Sequence, residues 1–125
     1  MKIEHIALYV RDIEVTKNFY MKYFFAKSNE KYTNAKGFSS YFLTFEDGAR
    51  LEIMSRPKLN RPGELPCFGY AHIAVSVGSV QCVNELTERF EKDGYDVISA
   101  PRITGDGYYE SVIADPDGNP IEITV

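Results

Sequence analysis

His5-Ile6-Ala7-Leu8-Tyr9-Val10 returns, 67 residues later, as His72-Ile73-Ala74-Val75-Ser76-Val77. Asp47-Gly48-Ala49-Arg50-Leu51-Glu52-Ile53 returns, 70 residues later, as Asp117-Gly118-Asn119-Pro120-Ile121-Glu122-Ile123. Two blocks that recur in the same order at nearly the same offset make this 125-residue chain a tandem repeat. The second half has gained about three residues between its blocks. Residues 1–55 form the first module and 70–125 the second. The stretch 56–69 between them holds Pro57, Pro62, Gly63, Pro66 and Gly69 and reads as a connection. It is neither Gly/Ser-rich nor of low complexity, so an ordered linker within one domain is expected.

Each half predicts the same order of elements. Residues 2–10 alternate with a period of two and read as a strand. Asp12 caps a helix over 13–25, with Val15, Phe19 and Tyr23 as its inner stripe. A weak strand over 27–33 follows, then a stronger one over 39–46, a tight hairpin turn at Asp47-Gly48, and a returning strand over 49–55. The second half gives a strand over 70–77 and a helix over 80–93 capped by Ser79, with Val80, Val83, Leu86 and Phe90 inside. Strands over 95–99, 108–114 and 120–125 complete it. The last two are joined by the turn Asp115-Pro116-Asp117-Gly118. The loop 104–109 reads as a lid or as a plain hairpin connection. The sum is an α+β chain of two βαβββ modules.

Composition narrows the function. The 18 acidic residues outnumber the 14 basic ones and no basic run occurs, so nucleic acid is not an expected partner. No apolar run approaches the roughly 18 residues of a membrane helix. The apolar stretch Ile6 to Val10 is also too short for a signal-peptide core. Cys67 and Cys82 form no paired motif, which points to a reduced, cytoplasmic protein without a thiol nucleophile.

Strand parity then sorts the site. Ile6, Leu8 and Val10 share one face of the first strand, with His5, Ala7 and Tyr9 on the other. Ile73, Val75 and Val77 are likewise set against His72, Ala74 and Ser76. In the last strand of each half, Glu52 and Glu122 fall on the face opposite their aliphatic neighbours. Each half thus supplies one His and one Glu from non-aliphatic faces, and these are the only two histidines in the chain. Taken singly, each is an ordinary strand residue. Taken together, two imidazoles and two carboxylates would neutralise a divalent cation and leave two open positions in an octahedral shell. Zinc, nickel, cobalt and manganese all suit that donor set.

These residues resemble the glyoxalase I / vicinal oxygen chelate superfamily over the whole chain. The matching motifs are His-Ile-Ala at 5–7, Leu-Glu-Ile at 51–53, Gly-Tyr-Ala-His-Ile-Ala-Val at 69–75 and Asp-Pro-Asp-Gly-Asn-Pro-Ile-Glu-Ile at 115–123. The resemblance implies two βαβββ modules whose mixed sheets curl into a cup, the glyoxalase/bleomycin-resistance/extradiol dioxygenase fold. It implies that His5, Glu52, His72 and Glu122 hold one metal ion. It also implies a homodimer, in many members with exchanged modules. The chemistry implied is bidentate chelation of vicinal substrate oxygens, as with the hemithioacetal of methylglyoxal and glutathione. The metal stabilises an enediolate while a glutamate moves a proton between adjacent carbons. By position that base is Glu122, with Glu52 as its counterpart.

The chain departs from the bacterial glyoxalase I pattern at two places. Tyr9 stands where an Arg that grips a glutathione carboxylate is usual, and Arg56 stands where an Asn is usual. Tyr9 and Arg56 are therefore the candidate substrate-binding residues, with Arg56 able to meet a carboxylate bidentately. Other activities of the superfamily compete with this reading: epimerases, ring-cleaving dioxygenases, thiol transferases and non-enzymatic binding modules. Ring-cleaving members need further catalytic histidines, and this chain has none to spare. Epimerases commonly carry Gln at a ligand place that here is Glu. Binding modules mostly lack the ligand set that this chain retains.

Overall fold

Alternation of apolar and polar residues gives β1 (His5–Tyr9), and Asp12 then turns the chain into α1 (Ile13–Phe24). The computed structural model describes residues 4–58, 70–105 and 107–125. One Asp12 carboxylate oxygen accepts the backbone N–H groups of Glu14 and Val15, both at 3.0 Å. The chain divides into two compact units, Met1–Pro62 and Gly63–Val125.

In the first unit β2 (Lys27–Ser28), β3 (Tyr32–Thr33), β4 (Ser39–Thr44) and β5 (Arg50–Ser55) follow α1. The strand order is β1-β5-β4-β2, with β3 also paired to β4. The first strand lies parallel to the last, and the other pairs are antiparallel. The second unit repeats this plan with β6 (Ile73–Ser76), α2 (Val80–Lys92), β7 (Val97–Ile103), β8 (Tyr109–Ala114) and β9 (Pro120–Thr124). Its order is β6-β9-β8-β7, again with first and last strands parallel. The α+β class and the two βαβββ modules expected from the sequence are both present.

Each sheet buries one face under its own helix. Leu43, Leu51 and Ile53 are buried where α1 covers β4 and β5, and α1 contributes Phe19, Tyr20 and Tyr23. Ile113, Ile121 and Ile123 are buried where α2 covers β8 and β9, with Val83 and Phe90 opposing them. Burying one such side chain fully is worth roughly 1.5–3 kcal/mol, so these positions carry most of the packing energy of each unit.

Several details differ from the sequence reading. Val15 and Val80 are half exposed, and Leu86 is only partly covered. The buried stripes run through Ile13, Thr16, Phe19, Tyr20 and Tyr23 in α1, and through Val83, Thr87 and Phe90 in α2. Thr87 tolerates burial because its hydroxyl donates to the Val83 carbonyl and pairs with Ser111 Oγ, both at 2.6 Å. The weak strand at 27–33 splits in two at Asn29, whose side-chain oxygen accepts the Phe42 N–H at 2.7 Å in place of a regular ladder partner. The Asp47-Gly48 turn is a longer connection than a two-residue hairpin, because the last register pair is Leu43 with Leu51. β6 begins at Ile73, so His72 precedes the strand instead of lying within it. β7 runs on to Ile103 with two register irregularities against β8, and as an edge strand it accommodates Pro101. Between β7 and β8, Gly107 N–H donates to the Thr104 carbonyl and Thr104 N–H to the Tyr108 carbonyl, while Asp106 lies outside the described residues. Cys82 is a free, exposed thiol, whereas Cys67 and most of the expected linker lie outside the described residues.

Candidate metal centre

Parallel pairing of first and last strands brings the sequence-distant His and Glu of each half together. In the first unit Ala7 is the register partner of Glu52. His5 lies two residues back on the same face, and its Nε2 stands 3.9 Å from Glu52 Oε2. In the second unit Ala74 is the partner of Glu122. His72 again lies two residues back, with Nε2 3.4 Å from Glu122 Oε2. One diagonal His–Glu geometry therefore occurs twice.

The carboxylates are sheltered, with side-chain exposures of 16% for Glu52 and 19% for Glu122, while the histidines stay open at 40% and 46%. A sheltered carboxylate normally has a cationic partner. Among the described residues no Lys or Arg pairs with Glu52 or Glu122. Two donors each about 2.1 Å from one ion stand about 3.0 Å apart on an octahedral edge and about 3.4 Å apart on a tetrahedral one. The second pair has that spacing and the first is half an ångström wider. The imidazole–carboxylate chemistry of both pairs suits a divalent ion, and the second pair also has the spacing. Within neither unit do three His, Cys, Asp or Glu side chains converge among the described residues, so each unit presents a two-donor pair.

The surroundings of the two pairs differ. His5 Nδ1 donates to Glu4, whose second oxygen takes Arg50 Nε at 2.7 Å. The hydrogen bond from His5, and then those from Arg50, hold the Glu4 carboxyl below the usual range. The Arg50 guanidinium lies 4.2 Å from the Phe42 ring centre, and Phe42 meets the His5 ring edge-on at 5.4 Å. In the second unit the nearby charged pair is of another kind. Glu110 is buried on the same face as Glu122, since it opposes Thr124, and Arg102 Nη2 stands 3.5 Å from it.

The two candidate substrate residues come together in the first unit. The Arg56 guanidinium stacks 5.0 Å from the centre of the Tyr9 ring. Tyr9 shares the His5 face and is 44% exposed, so the pair is open to solvent. Among the described residues no carboxylate is paired with Arg56.

Sequence reasoning missed Glu4, Phe42 and Arg50 around His5, and Glu110 with Arg102 near Glu122. A signal for Arg50 was present: parallel pairing that sets Ala7 beside Glu52 also sets His5 beside Arg50. Glu110 had none, because its burial depends on the register of β8 against β9.

Comparison with known proteins agrees with this architecture. An uncharacterized protein of Bacillus subtilis, YqjT, is 27% identical over 97% of this chain and 96% of its own. The structure of a glyoxalase family protein from Enterococcus faecalis superposes with a TM-score of 0.81 at 23% identity, covering 99% of this chain and 97% of that one. The trypanothione-dependent glyoxalase I of Leishmania major gives 0.78 at 21% identity, over 99% of this chain and 86% of that one. With a family model that matches residues 2–123, the chain belongs to the Glyoxalase/Bleomycin resistance protein/Dioxygenase superfamily.

Proposed function

We propose that this protein is a metal-dependent lyase or isomerase of the glyoxalase I type, acting on a small substrate with vicinal oxygens such as a methylglyoxal–thiol hemithioacetal. His5, Glu52, His72 and Glu122 together hold one divalent ion, which is zinc, nickel, cobalt or manganese. The observation that carries this reading is the repeated His–Glu diagonal, with both carboxylates sheltered and unpaired with any cationic side chain among the described residues. When bound, such an ion supplies positive charge where negative charge develops on the substrate oxygens.

The chain's own residues do the rest. Glu122 takes a proton from one carbon and returns it to the next, so no atom is gained or lost overall. Glu52 is its counterpart in the first half and keeps the donor set neutral toward a dication. Tyr9 and Arg56 receive an anionic tail of the substrate, the guanidinium by bidentate hydrogen bonding and the ring by holding it in place. Arg56 replaces the Asn usual at its position, so the thiol portion need not be glutathione. In this reading the protein works in the cytoplasm as a homodimer, and the two pairs of one ion come from one chain or from two copies.

The test is reconstitution. Protein stripped with chelator and reloaded with nickel, cobalt, manganese or zinc is offered methylglyoxal with glutathione and with other thiols. Thioester formation that requires the metal and is lost in Glu122→Gln is the expected result. One ion bound without turnover on any thiol would retain the site and discard this substrate class. No ion bound would overturn the four-ligand reading.

A further inference from the structure

We propose that Glu4, anchored by Arg50, is a positioning residue that fixes His5 with its proton on Nδ1 and its Nε2 lone pair turned toward Glu52. This makes the first His–Glu pair a preset half of the site and leaves the second pair free to adjust. The inference rests on the metal reading above.

An ionised carboxylate only accepts, so the contact between Glu4 Oε2 and His5 Nδ1 requires the proton on Nδ1. A neutral imidazole then carries its lone pair on Nε2. That nitrogen faces Glu52 at 3.9 Å, beyond a hydrogen bond and open to a third atom. Metal-binding histidines are commonly oriented in this way, with the remote ring nitrogen donating to a carboxylate.

Glu4 is itself held. Its Oε1 accepts from Arg50 Nε at 2.7 Å, and its backbone carbonyl accepts the Arg50 N–H at 2.9 Å. Arg50 is the register partner of His5, so strand pairing sets the guanidinium beside the ring. Phe42 closes the arrangement by stacking under Arg50 and meeting His5 edge-on. The ring therefore has a carboxylate on one edge and an aromatic against it.

None of this recurs in the second half. The repeat places Ala71 where Glu4 stands and Pro120 where Arg50 stands. Val112 is the β8 partner of Glu122 where Phe42 is the β4 partner of Glu52. Among the described residues His72 has one polar neighbour, Glu122. The repeat has kept the ligand pair in both halves and the support in one only. Glu122, the proposed base, belongs to the half without it, where a carboxylate can leave and return.

The two histidines allow a direct test. Two-bond proton–nitrogen NMR of metal-free, nitrogen-15-labelled protein at about pH 8 reports the tautomer of each ring, with His72→Gln supplying the assignment. His5 is expected as the Nδ1–H tautomer and His72 as a mixture. Glu4→Ala should turn His5 into a mixture, and Glu4→Gln, which keeps an acceptor, should largely restore it. Nickel titration of the same proteins should show affinity falling about 10- to 100-fold in Glu4→Ala. An unchanged His5 tautomer in Glu4→Ala overturns the proposal, as does nickel affinity equal to wild type. A wild-type protein that binds no ion sinks the metal reading itself. The tautomer spectrum needs no metal and still decides whether Glu4 sets the ring.

Discussion

Glu122 Oε2 stands 3.4 Å from His72 Nε2, half an ångström closer than Glu52 Oε2 stands to His5 Nε2. In each unit the distance is set by a parallel first-to-last strand pair, not by neighbours in sequence. Gln has nearly the shape of Glu and keeps one oxygen donor, but it cannot accept and return a proton. Glu122→Gln is therefore expected to lower kcat of the metal-loaded protein by about 10²- to 10⁴-fold, the usual contribution of a positioned base. Glu52→Gln should weaken metal binding with a smaller loss of kcat per bound metal. Steady-state kinetics at saturating metal separates the two.

Under the proposed function, Arg56 and Tyr9 are expected to act on substrate affinity instead. Arg56→Ala removes a charged donor and is expected to raise KM for an acidic thiol substrate about tenfold or more while kcat changes little, since charged hydrogen bonds contribute about 1.5–3 kcal/mol. Tyr9→Phe keeps the ring beneath the guanidinium and should behave like wild type, whereas Tyr9→Ala should share part of the Arg56→Ala defect. A neutral thiol substrate should be insensitive to all three changes. Measuring KM for the acidic and neutral thiols side by side checks this.

Much of this was legible in the sequence because the repeat did the work of long-range information. The blocks beginning at His5 and His72 fixed strand identity, and parity placed Glu52 and Glu122 on the His-bearing faces. Helix caps were equally plain, since Asp12 and Ser79 are short acceptors just ahead of apolar periodicity. Which stripe of each helix faces the sheet was legible only in part: Phe19, Tyr23, Val83 and Phe90 are buried as expected. Val15 and Val80 are apolar enough to be taken for core, yet the buried positions include Thr16 and Thr87, and Thr87 is admitted by a hydroxyl contact to Ser111 on another element. The Glu4–Arg50 support was hidden for a related reason. It joins residues 46 positions apart through strand register, and no local pattern announces such a contact.

Glu14 ties α1 to the sheet and sets a pH limit. Hydrogen bonds from Lys17, Lys31 and Tyr41 hold its pKa down to about 2. A depressed folded-state pKa means the contribution is present above the unfolded value of 4.5 and disappears as pH falls toward about 2. The side chain is 45% exposed, so solvent screening limits the effect to no more than about 1 kcal/mol. Glu14→Gln should accordingly lower the urea midpoint at pH 7 and leave it unchanged near pH 2.

Phe25 ends α1 in a left-handed conformation, φ +54°, with its ring 80% exposed. The turn is fixed because the N–H groups of Phe25 and Ala26 both donate to the Tyr20 carbonyl. A non-glycine residue in this region costs about 1–2 kcal/mol, and here little side-chain burial offsets it. Phe25→Gly should raise stability by about 1 kcal/mol. Differential scanning calorimetry would show a higher Tm.

Asp115 opens the turn that leads to Glu122. It is only 4% exposed, and its Oδ1 accepts the backbone N–H groups of Asp117 at 2.9 Å and Asn119 at 2.8 Å, while Oδ2 accepts the Asn119 amide. Burial is the dominant influence and raises the carboxyl pKa in spite of those hydrogen bonds. A raised folded-state pKa means that the protonated form is favoured by folding. Stability from this group is full below the unfolded value and is lost as pH rises through the folded one. The turn therefore carries a charge penalty at neutral pH while depending on the same side chain for its shape. Asp115→Asn keeps an acceptor for the two N–H groups and removes the charge, so it should abolish this acid-range slope; at pH 7 relief of the charge penalty is offset by loss of the Oδ2 contact with the Asn119 amide, leaving little net change in stability. Asp115→Ala leaves both N–H groups without their acceptor and should cost about 2–3 kcal/mol. Because β9 starts at Pro120, two residues before Glu122, the alanine variant should also weaken metal binding, and the asparagine variant should not. Urea denaturation across pH 3–7, with a metal titration of each variant, distinguishes the turn's shape from its charge.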